Sequence, residues 1–259
     1  MGTEVLYEQD GPIGRITFNS PNGIHLLSMP TMAALEARLD EVARHPEVRI
    51  LIFTGEGRTF MAGADIDEMS TMPEDAGRPF SQRGQRFMHR LARFEQAVTI
   101  AAINGPALGG GAEVALACDL RIIAEEATIG FPEVKLALIP GWGGTQRAFA
   151  LVGGAMARKL LFTGRPLTGP EAVAAGLVSE SVPANELMKT AEALASEILS
   201  NGPAAVRLLK RVVCAEEVAW LEKGLHGEAE AFGEAFIGEE AREGLRAFLD
   251  KRPPRWARN

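Results

Sequence analysis

Between Gly105 and Cys118 the chain carries one charged side chain, Glu113, among residues that are otherwise small or apolar. A carboxylate in such company is costly unless something pairs with it, solvates it or keeps it protonated. Gly109, Gly110 and Gly111 stand just before it, and the apolar run 114–117 follows. Three glycines let backbone come close to a ligand, and the apolar run predicts a helix starting there. Gly110 and Glu113 then lie about one turn apart, so an N–H donor and a proton-transfer group can face one space. The plain structural alternative is an acid complementing the helix dipole. It is not a capping box, because Gly110 occupies the position where the Ser or Thr would stand.

Two further segments offer chemistry. Glu133 is the sole carboxylate in Ile129-Gly130-Phe131-Pro132-Glu133-Val134, where an ordinary turn acid explains it equally well. The small-residue bend Phe60-Met61-Ala62-Gly63-Ala64-Asp65-Ile66 can present backbone N–H groups, with Asp65 as a helix cap as the alternative. No phosphate-binding G-x-x-x-x-G-K-[ST] loop, G-x-S-x-G elbow or H-E-x-x-H pair occurs, and Pro140-Gly141-Trp142-Gly143-Gly144 does not satisfy G-x-G-x-x-G. His25, His45, His89 and His226 are scattered without ligand spacing. No metal and no nicotinamide are expected.

The elements that must position these groups read as α/β. Two short strands, 5–8 and 13–18, flank a turn at Asp10-Gly11. Ser28 can cap a helix whose Met32, Leu35, Leu39 and Val42 recur at helical spacing. The apolar runs 49–54 and 99–103 suit strands covered on both faces, and 120–124 and 177–182 repeat the pattern. Residues 69–84, with Met69, Met72, Pro73, Pro79 and several charges, read as a surface loop, with a lid as the alternative. From about Pro183 helical patterns dominate, with Pro203 and Gly233 as breaks. Residues 1–200 are assigned to a core and 201–259 to a helical region that packs on it or on another subunit.

With 259 residues, 46% of them hydrophobic, the chain can bury a substantial core. Its net charge of −7 provides no basic face, which argues against nucleic acid or an anionic membrane as partner. No stretch approaches the roughly 20 apolar residues of a membrane span, and the first ten residues lack a leader pattern. Two cysteines, Cys118 and Cys214, are too few for a disulfide framework, so a reducing cytoplasm fits.

Together the segments Phe60–Ile66, Asn104–Glu113, Phe131-Pro132-Glu133 and Pro140–Arg147 occur in the order and approximate spacing of the crotonase superfamily, the enoyl-CoA hydratases and isomerases. The likeness runs through Thr163-Gly164-Arg165 and Ala174–Val178 to the C-terminal helices. The resemblance implies a spiral of β-β-α units with a C-terminal helical trimerisation region, trimers often pairing into hexamers. It implies an acyl-CoA thioester as substrate, coenzyme A entering only as part of that substrate, and no permanently bound cofactor. By resemblance, the N–H groups of Ala64 and Gly110 bind the thioester oxygen, while Ala62, Asp65 and Ile66 lie along the adenine. Ile24, Gly141 and Trp142 border the substrate, and Phe232 and Lys251 touch coenzyme A from the C-terminal region. Glu113 matches the base and Glu133 the acid of a hydratase.

The activity so implied is reversible hydration of a 2-enoyl-CoA. An isomerase, a hydratase for cyclic or dienoyl substrates, and a non-catalytic acyl-CoA-binding or assembly protein are the competing readings. Two departures from the family stand out. His25 and Leu26 occupy positions where relatives often carry Asn-Ala, and Trp142 is bulky for its glycine-rich loop. The latter either shortens or reshapes the acyl site or only packs against the loop.

Overall fold

The computed structural model describes residues 2–258, with side chains described except at 215–220, 222, 223, 257 and 258. In chain order, β1 (Glu4–Asp10) and β2 (Ile13–Asn19) form the expected hairpin, followed by α1 (Met29–Ala43) and β3 (Ile50–Gly55). Next come α2 (Ile66–Ser70), α3 (Gly77–Ala92), β4 (Val98–Ile103), β5 (Ala107–Leu108), α4 (Gly110–Ala117), β6 (Leu120–Ala124) and β7 (Thr128–Gly130). After α5 (Gly144–Thr163), β8 (Leu167–Thr168), α6 (Gly169–Ala174) and β9 (Glu180–Val182), the chain ends in α7 (Leu187–Leu199), α8 (Pro203–Ile237) and α9 (Glu239–Leu249).

Two sheets result. One has the order β1-β2-β3-β4-β6-β9 and the other β5-β7-β8. Consecutive strands feed them alternately, β4 to the first and β5 to the second, then β6 and β7 likewise, which is the β-β-α spiral. Single bridges pair Met61 with Ala107 and Leu27 with Ala64, extending the smaller sheet toward the bend after β3. By this route residues distant in sequence, 61–64 and 107–110, become neighbours. The apolar runs of β3 and β4 are buried along nearly their whole length, as parallel strands covered on both faces must be.

Ser28 caps α1 as expected, its hydroxyl accepting from Thr31 N at 3.2 Å. Three local expectations are corrected. Residues 69–84 are not a surface loop: α2 and α3 cover most of them, separated by a break around Thr71–Pro73 and a 3-10 turn at Glu74–Ala76. Pro79 falls in the first turn of α3, where its missing N–H has no intrahelical role, and Phe80, Gly84, Phe87 and Leu91 recur on its buried face. The run 177–182 is a strand only over Glu180–Val182, because the N–H groups of Leu177 and Val178 bond to Ala172 O and cannot join the ladder. Gly233 does not break α8. A Cβ there would lie 3.0 Å from Arg78 Cβ, so the glycine allows α8 to lie close against α3.

Among the described residues no helix is long and apolar enough to cross a membrane. Leu208, Leu209, Val212 and Val213 form an exposed apolar stripe on α8.

Candidate active site

A cavity of about 460 Å³ lies where the bend at 62–66, the start of α4, the turn at 132–139 and the C-terminal helices meet. It brings together Ile24, Ala62, Ala64, Asp65, Ile66, Gly110, Glu113, Glu133, Gly141, Trp142 and Phe232, all singled out from sequence. Lys251 is not among the lining residues. It is exposed just past α9, with a left-handed backbone (φ 51°), while Phe248 and Leu249 from the end of that helix border the cavity.

Gly109 turns the chain from β5 into α4 with φ 51°, a conformation that favours glycine. Its neighbour Gly110 opens the helix, so the Gly110 N–H has no acceptor within the helix. Across the cavity rim, the bridge from Leu27 to Ala64 uses Leu27 N donating to Gly63 O at 2.8 Å, and Ala64 N makes no intramolecular hydrogen bond among the described residues. Asp65 caps α2, accepting from Asp67 N at 3.1 Å and Glu68 N at 3.3 Å. The cap anticipated as its plain structural role is therefore present, beside the cavity.

Glu113 is buried, at 2% exposure, and its Oε1 accepts from Trp142 N at 2.7 Å and Gly144 N at 2.8 Å. Burial, then the nearby Glu228 and Glu133 carboxylates, push its proton affinity well above the ordinary carboxylate range, and the two N–H donors pull against them. Glu133 begins a 3-10 turn, Glu133–Leu136. Its Oε2 is enclosed without a hydrogen-bond partner among the described residues, and burial raises its pKa to about 8. Two carboxyl groups with elevated proton affinity on one cavity can hold and transfer a proton near neutral pH.

Trp142 is enclosed between two helices. A Cβ on Gly84 of α3 would come within 2.0 Å of the indole Cδ1, and one on Gly110 of α4 within 2.4 Å of Cζ3, so both glycines make room for the ring. Phe80 lies against it at 5.2 Å between centroids, and Phe232 stacks on Phe80 at 6.0 Å. An apolar wall thus closes the cavity beside Glu113.

His25, one of the two unusual residues of the 22–27 loop, does not face the cavity. It is buried, with Nδ1 3.0 Å from Ser20 Oγ and Nε2 2.8 Å from Glu56 O, and burial lowers its pKa. The neutral ring ties the loop to the end of β3. Leu26 borders the cavity.

Sequence reasoning missed Glu228, a third buried carboxylate at 4% exposure, on α8. Its oxygens accept from Gly143 N, Thr145 N, Thr145 Oγ1 and Gln85 Nε2. Burial raises its proton affinity, and the four donors oppose that. A signal was available: Leu221, Leu225, Glu228 and Phe232 follow helical spacing, which places one carboxylate on an otherwise apolar stripe.

The family described as "Enoyl-CoA hydratase/isomerase" matches residues 8–259. A Clostridium acetobutylicum protein named short-chain-enoyl-CoA hydratase is 41% identical over 249 residues, 96% of this chain and 95% of that one. The crotonyl-CoA hydratase of Syntrophomonas wolfei is 38% identical over 249 residues, again 96% and 95% of the two chains. Among solved structures, an enoyl-CoA hydratase from Bacillus anthracis superposes with a TM-score of 0.78 at 38% identity, covering 98% of each chain. Another from Mycobacterium avium subsp. paratuberculosis reaches 0.86 at 26% identity, also over 98% of each. With the family matched over residues 8–259 and a relative 41% identical over nearly its whole length, the chain belongs to the enoyl-CoA hydratase/isomerase family.

Proposed function

We propose that this protein is a hydro-lyase that reversibly adds water across the double bond of a short 2-enoyl-CoA. The observation that carries the reading is the unequal pair Glu113 and Glu133 on one cavity. Both are pushed toward protonation by burial; against it, two N–H groups from other parts of the chain meet Glu113 Oε1, whereas at Glu133 the opposing N–H is that of its own backbone. Buried carboxyl groups this close share protons rather than titrating singly. In this reading the resting proton is assigned to Glu133, whose enclosed Oε2 has no hydrogen-bond partner among the described residues.

Hydration then follows. Glu113 takes a proton from water as the water oxygen bonds to C3. The electron pair of the C2=C3 bond moves toward the thioester, leaving negative charge on its oxygen. The N–H groups of Ala64 and Gly110 receive that charge without reorganising, and removing one such donor typically costs about 3 kcal/mol of transition-state stabilisation. Glu133 delivers its proton to C2. The reverse sequence expels water, and the pair exchange roles.

Trp142 supports a short acyl group, because the ring and Phe80 fill the space beside Glu113. The names of the two relatives, short-chain-enoyl-CoA hydratase and crotonyl-CoA hydratase, agree with that size. Ala62, Asp65 and Ile66 at the mouth suit the nucleotide end of coenzyme A, with Lys251 contributing from beyond α9. The exposed apolar stripe on α8 supports self-association through residues 201–259, as a cytoplasmic trimer or a pair of trimers.

Loss of the conjugated thioester absorbance on incubation with crotonyl-CoA tests the reading. 3-hydroxybutanoyl-CoA is the expected product. A shifted double bond without hydration would identify an isomerase, and silence across an acyl-CoA panel would leave a binding protein. Trp142→Ala should raise kcat/KM for eight-carbon relative to four-carbon enoyl-CoA by about tenfold.

A further inference from the structure

Glu228 takes no part in the chemistry above, yet it is buried and fully engaged. The four successive N–H groups from Trp142 to Thr145 alternate between two carboxylates. Trp142 N and Gly144 N donate to Glu113 Oε1, at 2.7 and 2.8 Å. Gly143 N donates to Glu228 Oε1 at 2.6 Å and Thr145 N to Glu228 Oε2 at 3.1 Å. The Thr145 hydroxyl adds a bond of 2.5 Å to Oε2, and Gln85 Nε2 on α3 donates to Oε1 at 3.1 Å. The segment is therefore held between one acid on α4 and another on α8.

This arrangement has a geometric consequence. Peptide planes are rigid, so the directions of neighbouring N–H groups are linked through two dihedral angles per residue. Gly143 stands at φ 107°, a conformation open mainly to glycine, with its N–H turned to Glu228. Fixing the Gly143 and Thr145 N–H groups fixes the aim of those at Trp142 and Gly144. Both of the latter meet the same oxygen of Glu113, Oε1, and neither meets Oε2.

We propose that Glu228 is a positioning residue for hydration: by anchoring Gly143 and Thr145 it directs the Trp142 and Gly144 N–H groups onto Oε1 of Glu113 and so selects the oxygen that faces the substrate. The inference rests on the hydratase reading of Glu113. A purely structural anchor at the α5–α8 contact would alter folding while leaving the turnover of folded enzyme intact.

Glu228→Gln discriminates between the two. The amide keeps the size of the side chain but confronts N–H donors with an NH₂ group. Misaiming a catalytic group costs about tenfold to a hundredfold, so kcat for crotonyl-CoA should fall by that amount. KM, and the affinity for unreactive butanoyl-CoA measured by calorimetry, should stay within about threefold, since Glu228 is not among the cavity-lining residues. Thr145→Val retains the carboxylate and both backbone bonds, and removal of one hydroxyl bond should lower kcat by about threefold with the same unchanged affinity. Wild-type kcat in folded Glu228→Gln overturns the proposal, as does a loss confined to KM. If Glu228→Gln does not fold, wild-type kcat in Thr145→Val overturns it. Wild-type protein inactive on every enoyl-CoA would instead discard the hydratase reading, so the two ideas fail separately.

Discussion

Glu113 and Glu133 border the same cavity but are held in opposite ways. Glu113 sits within a helix, with two backbone N–H groups from the start of α5 on one oxygen. Glu133 sits on a 3-10 turn with an enclosed oxygen that no donor reaches among the described residues. Burial alone would treat both alike, raising each. The donors differ in number and origin, and a hydrogen bond to the charged form stabilises that form. The acid and base roles proposed for these two chemically identical side chains require different protonation states in one site.

The largest test of that contrast is Glu113→Gln, which should reduce kcat for crotonyl-CoA about a thousandfold while the protein remains folded by circular dichroism. Retained turnover would remove Glu113 from the base role. Glu133→Gln should cost somewhat less, about a hundredfold, and should change the pH profile as well. In the wild type the neutral acid is lost as pH rises through about 8, so kcat should decline there, and this alkaline limb should be absent from the residual activity of Glu133→Gln. An alkaline limb of unchanged position in the variant would assign the titration to another group.

Gly109→Ala probes the contrast from the backbone. The added Cβ would approach Glu133 Oε1 to 2.9 Å at a residue whose φ is 51°, so it should displace the acid. About a tenfold loss of kcat and about 1 kcal/mol of stability are expected, the latter read from denaturant unfolding. An equal effect on Glu113-dependent and Glu133-dependent limbs of the pH profile would show that the two sides are not separable. The smallest effect is expected from Lys251→Ala. An exposed charge contributes little, so KM for crotonyl-CoA should rise by no more than about threefold with kcat unchanged.

Much of this site is legible in the sequence because its signals are local. A lone acid after three glycines, a Ser28 cap and continuous apolar runs each depend on neighbours within one turn or one strand, and the helix α4, the capped α1 and the buried β3 and β4 follow from them. The segment 69–84 misleads for the converse reason. Its prolines and charges resemble loop chemistry, yet Phe80, Gly84 and Phe87 are recruited into helix by packing against Trp142 and α8. Tertiary burial outweighs local preference there.

What the residues determine by themselves is therefore the presence of two acids, the donors beside them and the elements that carry each. Only the tertiary structure decides how the acids differ. The donors on Glu113 come from 29 and 31 residues away, and Glu228 reaches Gly143 across 85 residues of chain. No spacing rule encodes such contacts, because they exist only once the spiral has brought α4, α5 and α8 together. Proton affinity depends on the burial and charges that this meeting creates.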